Sequence, residues 1–179
     1  MKTVTRIVLA TVALVAAFGM SACTDESSRH LLTVVNVNDG NVYFSDLLTD
    51  SGGVVADAAV VTFGNIPNGG GEPLGPGEPF SVIIVTGYTV TYDNGVYPPY
   101  TGGLTVRVPS GGTVEAAIGL SDIGAKASVN PNLATSTTAR IVFTGYNETY
   151  GVANGEGVEA RASLSVQVAN FKDEDIQDQ

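Results

Sequence analysis

Val158-Glu159-Ala160-Arg161-Ala162-Ser163-Leu164-Ser165-Val166-Gln167-Val168 decides the fold class of this chain. Every even-numbered position in the stretch is apolar and every odd-numbered one is charged or polar before the final valine. Successive side chains of an extended backbone point to opposite faces, so a period of two gives one dry face and one wet face. Wound into a helix, the same apolar residues would be spread around the whole circumference. The spacing therefore predicts a strand over 158–168.

The pattern recurs along the chain. Leu104-Thr105-Val106-Arg107-Val108 alternates and is stopped by Pro109; Val114, Ala116 and Ile118 resume it after Ser110-Gly111-Gly112. Segment 139–150 places Ile141 and Phe143 on one face and Arg140 on the other. In 80–92 the face shared by Phe80, Val82, Ile84, Tyr88, Val90 and Tyr92 is apolar, and Ile83 and Val85 make the other face apolar too, which predicts a strand covered on both sides over its first half. Segments 31–37 and 56–63 read as earlier strands, separated by the turn formers Asp39-Gly40-Asn41 and Ser51-Gly52-Gly53. Segment 42–48 fits either a helical turn or a short strand, and 65–79, mostly Gly and Pro, reads as a long loop. No segment shows a convincing run of apolar residues at i, i+3, i+4 and i+7. Short strands joined by turns predict an all-β chain, an antiparallel β-sandwich first and a closed β-barrel second.

Thr86-Gly87-Tyr88-Thr89-Val90-Thr91-Tyr92 is echoed by Thr144-Gly145-Tyr146-Asn147-Glu148-Thr149-Tyr150. A duplicated hairpin with its copies in opposing sheets explains the echo, as does shared strand chemistry. The stretch Val85 to Tyr92 also resembles the third strand of fibronectin type III domains, which often reads G-Y-x-V-x-Y. The resemblance implies an immunoglobulin-like sandwich; the tryptophan expected on the preceding strand is missing, because the chain has none.

The first residues have a different grammar. Lys2 and Arg6 precede an uncharged apolar run over 7–18, the order of a secretory signal and too short for a comfortable membrane span of about 20 residues. The run leads to Met20-Ser21-Ala22-Cys23. That tetrapeptide resembles the lipobox of bacterial lipoproteins, with Met20 where Leu is usual. The resemblance implies cleavage after Ala22, acylation of the Cys23 thiol by fatty acids such as palmitate, and a membrane anchor. Cys23 is the only cysteine, so it has no disulfide partner within the chain. An ordinary secreted protein with an incidental cysteine is the alternative. By the same family analogy Thr24, rather than Asp, after the cysteine points to the outer membrane over the inner one. The resulting division is a signal peptide over 1–22, a polar flexible tether over 23–30, a sandwich over 31–171 and an acidic, disordered tail over 172–179.

Without Lys2 and Arg6 the mature chain keeps six of its eight basic residues against 18 acidic ones, a net charge of −12. Nucleic-acid phosphates require Lys and Arg to neutralise them, so nucleic acid is excluded as a partner. Broad electrostatic docking on anionic lipid is disfavoured for the same reason. Solubility accounts for the acidity better than a cation-buffering role does.

No catalytic, cofactor or metal site emerges. His30, the sole histidine, is expected between tether and first strand, a poor place for an oriented general base. Zinc needs several His and Cys ligands, and Gly69-Gly70-Gly71 opens no helix that would cradle a phosphate. Asn36 to Asn41 resembles a calcium loop only superficially, because its twelfth position is Leu47 rather than Glu. Glu115, Glu148 and Glu159 fall in strands, where a solvated face is the simpler reading than a carboxylate pair. Tyr97-Pro98-Pro99-Tyr100 is the candidate partner contact: prolines stiffen the loop and Tyr97 and Tyr100 suit peptide or glycan contact, or else cap the sandwich. The expected function is a non-enzymatic, lipid-anchored envelope module that binds a protein or glycan or serves as a structural accessory. A carboxylate-dependent enzyme such as a glycan hydrolase is one alternative; a subunit pairing through its edge strands within an envelope complex is another.

Overall fold

A computed structural model describes residues 30–67, 72, 73, 75, 82–148 and 157–171. Cys23 with the signal and tether up to Arg29, most of the Gly- and Pro-rich segment, Tyr150 and the acidic tail lie outside the described residues.

The chain is an all-β sandwich of two sheets. Among the described residues eight strands follow one another: β1 His30–Val37, β2 Tyr43–Asp46, β3 Ala58–Pro67, β4 Val82–Tyr92, β5 Tyr100–Pro109, β6 Thr113–Gly119, β7 Thr135–Glu148 and β8 Gly157–Ala169, with a short α-helix, α1 Ile123–Ala127, between β6 and β7. Three strands form one sheet in the order β1-β3-β6, and five form the other in the order β2-β8-β7-β4-β5. All pairings are antiparallel except β2 with β8.

The alternating strands bury the faces their patterns predict. In β8, Ala160, Leu164, Val166 and Val168 are buried while Glu159, Arg161, Ser163 and Ser165 are exposed. The core lies between the sheets, where Phe63 of β3 meets Phe143 of β7 edge to face with centroids 4.9 Å apart. Such geometry sets the positive ring edge against a negative π face.

Four expectations are corrected. In β4 a bulge interrupts the register with both neighbours between Val85 and Gly87. The extra residue, Thr86, reverses the parity of the strand. Ile83 and Val85 therefore share the core face with Tyr88, Val90 and Tyr92, while Ile84 occupies the outer face, flanked in register by Arg107 and Tyr146. β3 extends to Pro67, past the expected start of a loop at 65, because Asn65 and Ile66 pair with Leu32 and Leu31; long-range pairing overrides local turn composition there. α1 was not foreseen: Asp122 Oδ1 accepts from the Ala125 amide at 3.0 Å and starts a helix too short to show a period. His30 belongs to β1 and is buried, where the tether was expected to end. Segment 42–48 resolves as a strand, β2.

The two Thr-Gly-Tyr motifs lie in adjacent strands of one sheet, not in opposing sheets. Val85 pairs with Gly145 and Gly87 with Thr144, and Thr86 Oγ1 donates to the Thr144 carbonyl at 3.3 Å. A side chain on Gly145 would collide with the Ile84 carbonyl, so only glycine permits this approach of β4 and β7.

Candidate functional site: a buried ion pair beneath the loops

The strand pairings give the sandwich two distinct ends. At the end where β1 begins, His30 faces Pro67, Val82 faces Pro109, and the β5–β6 turn hydrogen-bonds Asn65 through Gly111 and Gly112. Asn65 anchors this end. Its Nδ2 donates to the Val108 carbonyl at 2.9 Å, which leaves Oδ1 to accept from His30 Nδ1 at 2.7 Å. His30 is thus an oriented, buried structural residue that joins the first strand to the third.

The opposite end gathers the connections over 47–57, 93–99 and 120–134. Beneath them lies a polar cluster sealed from water. Lys126 Nζ on α1 donates to Asp57 Oδ1 at 2.6 Å and to the Val55 carbonyl at 2.9 Å. Asp57 Oδ2 accepts from Ser45 Oγ at 2.6 Å and from Ser121 Oγ at 3.3 Å. Ser45 directs its one proton to Asp57, so Tyr97 is the donor in the 2.8 Å contact between the two hydroxyls. Tyr43 OH accepts from the Ala58 amide at 3.1 Å, and Tyr92 OH donates to the Leu120 carbonyl at 3.1 Å.

Asp57 and Lys126 are only 4% and 2% exposed. Unpaired charges at such depth cost several kcal/mol each, and pairing plus further hydrogen bonds offsets that cost. Asp57 meets this condition, with donors on both oxygens. Burial pushes the Tyr43 phenol up to about 12, with the nearby Asp57 charge acting in the same direction. Tyr97 is likewise pushed up to about 12, mainly by burial. Tyr92 is raised as well, by burial first and then by the Asp57 charge.

The sequence candidates are placed as follows. Tyr97 is 2% exposed and belongs to the core, its ring edge-on to Tyr92 at 5.1 Å, so it is not a surface contact. It holds the loop from beneath and leaves Pro98 and Pro99 exposed. Tyr100 is half-buried beside Tyr88, with ring centroids 6.2 Å apart. Glu115 and Glu159 lie on exposed strand positions, and Glu148 pairs with Arg107, its Oε1 accepting from Nη1 at 3.1 Å. Among the described residues no three His, Cys, Asp or Glu side chains converge on a metal-sized space. Sequence reading missed Asp57 and Lys126. The one available signal was a lone Lys following an Asp cap in a polar stretch, which names no partner 69 residues away.

Comparison with protein-family models, with curated proteins and with solved structures finds no match to this chain.

Proposed function

We propose that this chain is a lipid-anchored cell-envelope protein, held through Cys23, whose immunoglobulin-like sandwich presents a stiff set of loops to a protein or glycan partner without catalysing a reaction. The carrying observation is the Asp57–Lys126 pair. It ties three separate interstrand connections, through Asp57 and Val55, Tyr97 by way of Ser45, and Lys126, into one hydrogen-bonded unit. Loops fixed in advance lose less entropy on binding, which is what a recognition surface built on loops needs. Pro98, Pro99, Val55 and Ile123 are exposed around this unit, at the end of the sandwich opposite the start of β1. A body tethered through its first strand would hold that end away from the membrane.

Strand order supports the immunoglobulin-like reading. β1-β3-β6 corresponds to strands A, B and E, and β8-β7-β4-β5 to G, F, C and C′, with no counterpart of strand D among the described residues. β4, which carries the fibronectin-like stretch, takes the place of strand C between β7 and β5. β2, parallel to β8, fits a first strand that switches sheets.

The test is photo-crosslinking in the native host from Ile123 and Pro99, with Thr105 on the outer face of β5 as control. The expected result is a discrete adduct from the two loop positions alone. Equal adducts from all three positions, or none from any, overturn the reading.

A further inference from the structure

The outer face of the three-stranded sheet carries exposed apolar side chains. Leu32, Val61, Phe63 and Ile118 point into the core, so the alternate positions of β1, β3 and β6 point outward. Four large apolar side chains there stand in solvent: Leu31 at 54%, Val35 at 58%, Val60 at 44% and Ile66 at 53% exposed. Around Gly64, where no side chain fills the space, lies a shallow groove of about 310 Å³ walled by Thr33, Val35, Ile66 and Thr113. A side chain on Gly64 would fill it, meeting Thr33 Oγ1 and Val35 Cγ2.

Two facts say what covers this face. The first is reach. Cys23 precedes His30 by seven residues, and an extended chain spans at most about 3.3–3.6 Å per residue, so a lipid on Cys23 holds the start of β1 within roughly 25 Å of the bilayer. Leu31 and Ile66 pair directly beside that point. The second is charge. In a mature chain carrying −12, Glu115 is the only ionisable residue among the outward positions of β1, β3 and β6. A neutral, apolar surface at the tethered end suits the acyl boundary of a bilayer and gives anionic headgroups no counter-charge.

We propose that the groove around Gly64, with Leu31, Val35 and Ile66, rests in the membrane interface and receives lipid acyl chains. This rests on the reading of Cys23 as lipidated and sets the orientation of the module: it tilts so that the outer face of the three-stranded sheet, at the end where β1 begins, meets the lipid, with the clamped loops at the far end. A single acyl chain holds a protein only marginally, and a second apolar contact strengthens the hold and restricts tilting. Contact through apolar burial is insensitive to salt and to anionic lipid.

The experiment uses the full chain, processed in a bacterial host that acylates lipoproteins. With the Cys23 thiol consumed, Val35→Cys, Ile66→Cys and the control Thr105→Cys each carry one free thiol for an environment-sensitive fluorophore. The labelled proteins are placed in phosphatidylcholine vesicles with or without lipids bearing a quencher on the acyl chain. Labels at 35 and 66 are expected to shift to the blue and lose emission to the quencher, unchanged by added salt, while the label at 105 stays water-like. Labels at 35 and 66 that match the control, on protein whose intact mass includes the acyl groups, overturn the docking and leave the anchor standing. A chain whose mass lacks acyl groups overturns the anchor and the docking with it. Shielding that is already present in detergent solution, on a particle of dimer size, assigns the face to a second copy and overturns the lipid contact.

Discussion

Lys126 and Asp57, 69 positions apart in sequence, meet at 2.6 Å beneath the loops of the sandwich, with both side chains excluded from water. A buried ion pair adds little net stability relative to a well-packed apolar pair, because desolvation of both charges offsets their attraction. Its worth lies in direction: Lys126 reaches the Val55 carbonyl as well as Asp57, and Asp57 gathers Ser45 and Ser121.

Removing one partner exposes that design. Asp57→Ala leaves the buried Lys126 ammonium without its counter-charge and is expected to cost about 3–5 kcal/mol of unfolding free energy. Ser121→Ala removes one 3.3 Å hydrogen bond and is expected to cost about 1 kcal/mol. Urea denaturation of the two variants measures the difference; equal, small losses contradict the role assigned to the pair.

Alkaline titration tests the burial of the phenols. Burial pushes the Tyr43 and Tyr97 phenols up to about 12 in the folded chain from their ordinary value of 10.0. A raised folded-state value makes their contribution complete below pH 10 and progressively lost as pH climbs toward 12. Unfolding free energy is therefore expected to fall over that window. Tyrosinate absorbance from these residues should appear only with unfolding or near pH 12. Full tyrosinate absorbance at pH 10–11 with the fold intact contradicts it.

Gly145→Ala tests the crossing of β4 and β7. The added methyl meets the Ile84 carbonyl and the Val85 Cα, both backbone atoms that cannot rotate aside. A loss of roughly 1–3 kcal/mol is expected from overpacking. Gly103→Ala, where a methyl meets nothing, is the control for generic glycine replacement. Similar stability of the two variants contradicts the close approach.

Cys23→Ser tests the anchor independently of the fold. The variant is expected to take up no labelled palmitate and to keep residues 1–22 uncleaved, since loss of the thiol removes the group whose acylation marks the cleavage site, while its circular dichroism remains that of a strand-rich protein. Uptake of labelled palmitate by the variant, or a chain that matures to the same mass as the unaltered one, contradicts acylation at the Cys23 sulfur.

Much of the architecture was legible because alternation is written directly in the residues. The 158–168 pattern became β8 with the expected face buried, and 104–108 and 114–118 became the centres of β5 and β6. The bulge at Thr86 was not legible: a one-residue insertion leaves no mark in a strand whose first half is apolar at every position. Tyr97 illustrates the same limit. A tyrosine beside two prolines reads either as a partner contact or as a cap on the sandwich, and only the partner hydroxyl of Ser45, 52 residues earlier, shows which way it turns. Asp57 and Lys126 were invisible for a related reason, since pairing across connections depends on how two sheets bring loop ends together. Cys23 is the reverse case: the role proposed for it rests entirely on its local neighbours.

Amide hydrogen exchange over 93–99 and 120–134, in the intact chain and in Asp57→Ala, tests the clamped platform most directly. The Lys126, Ser128, Val129 and Leu133 amides donate to carbonyls within 120–134, the Leu120 amide donates across to the Asp57 carbonyl, and the Gly95 amide donates to the Tyr92 carbonyl at the end of β4. The expected result is slow exchange approaching that of the neighbouring strands, lost selectively in Asp57→Ala while β7 and β8 keep their protection. Free exchange of these amides in the unaltered chain, or protection that survives loss of the Asp57 carboxylate, would contradict a loop platform held by the buried pair.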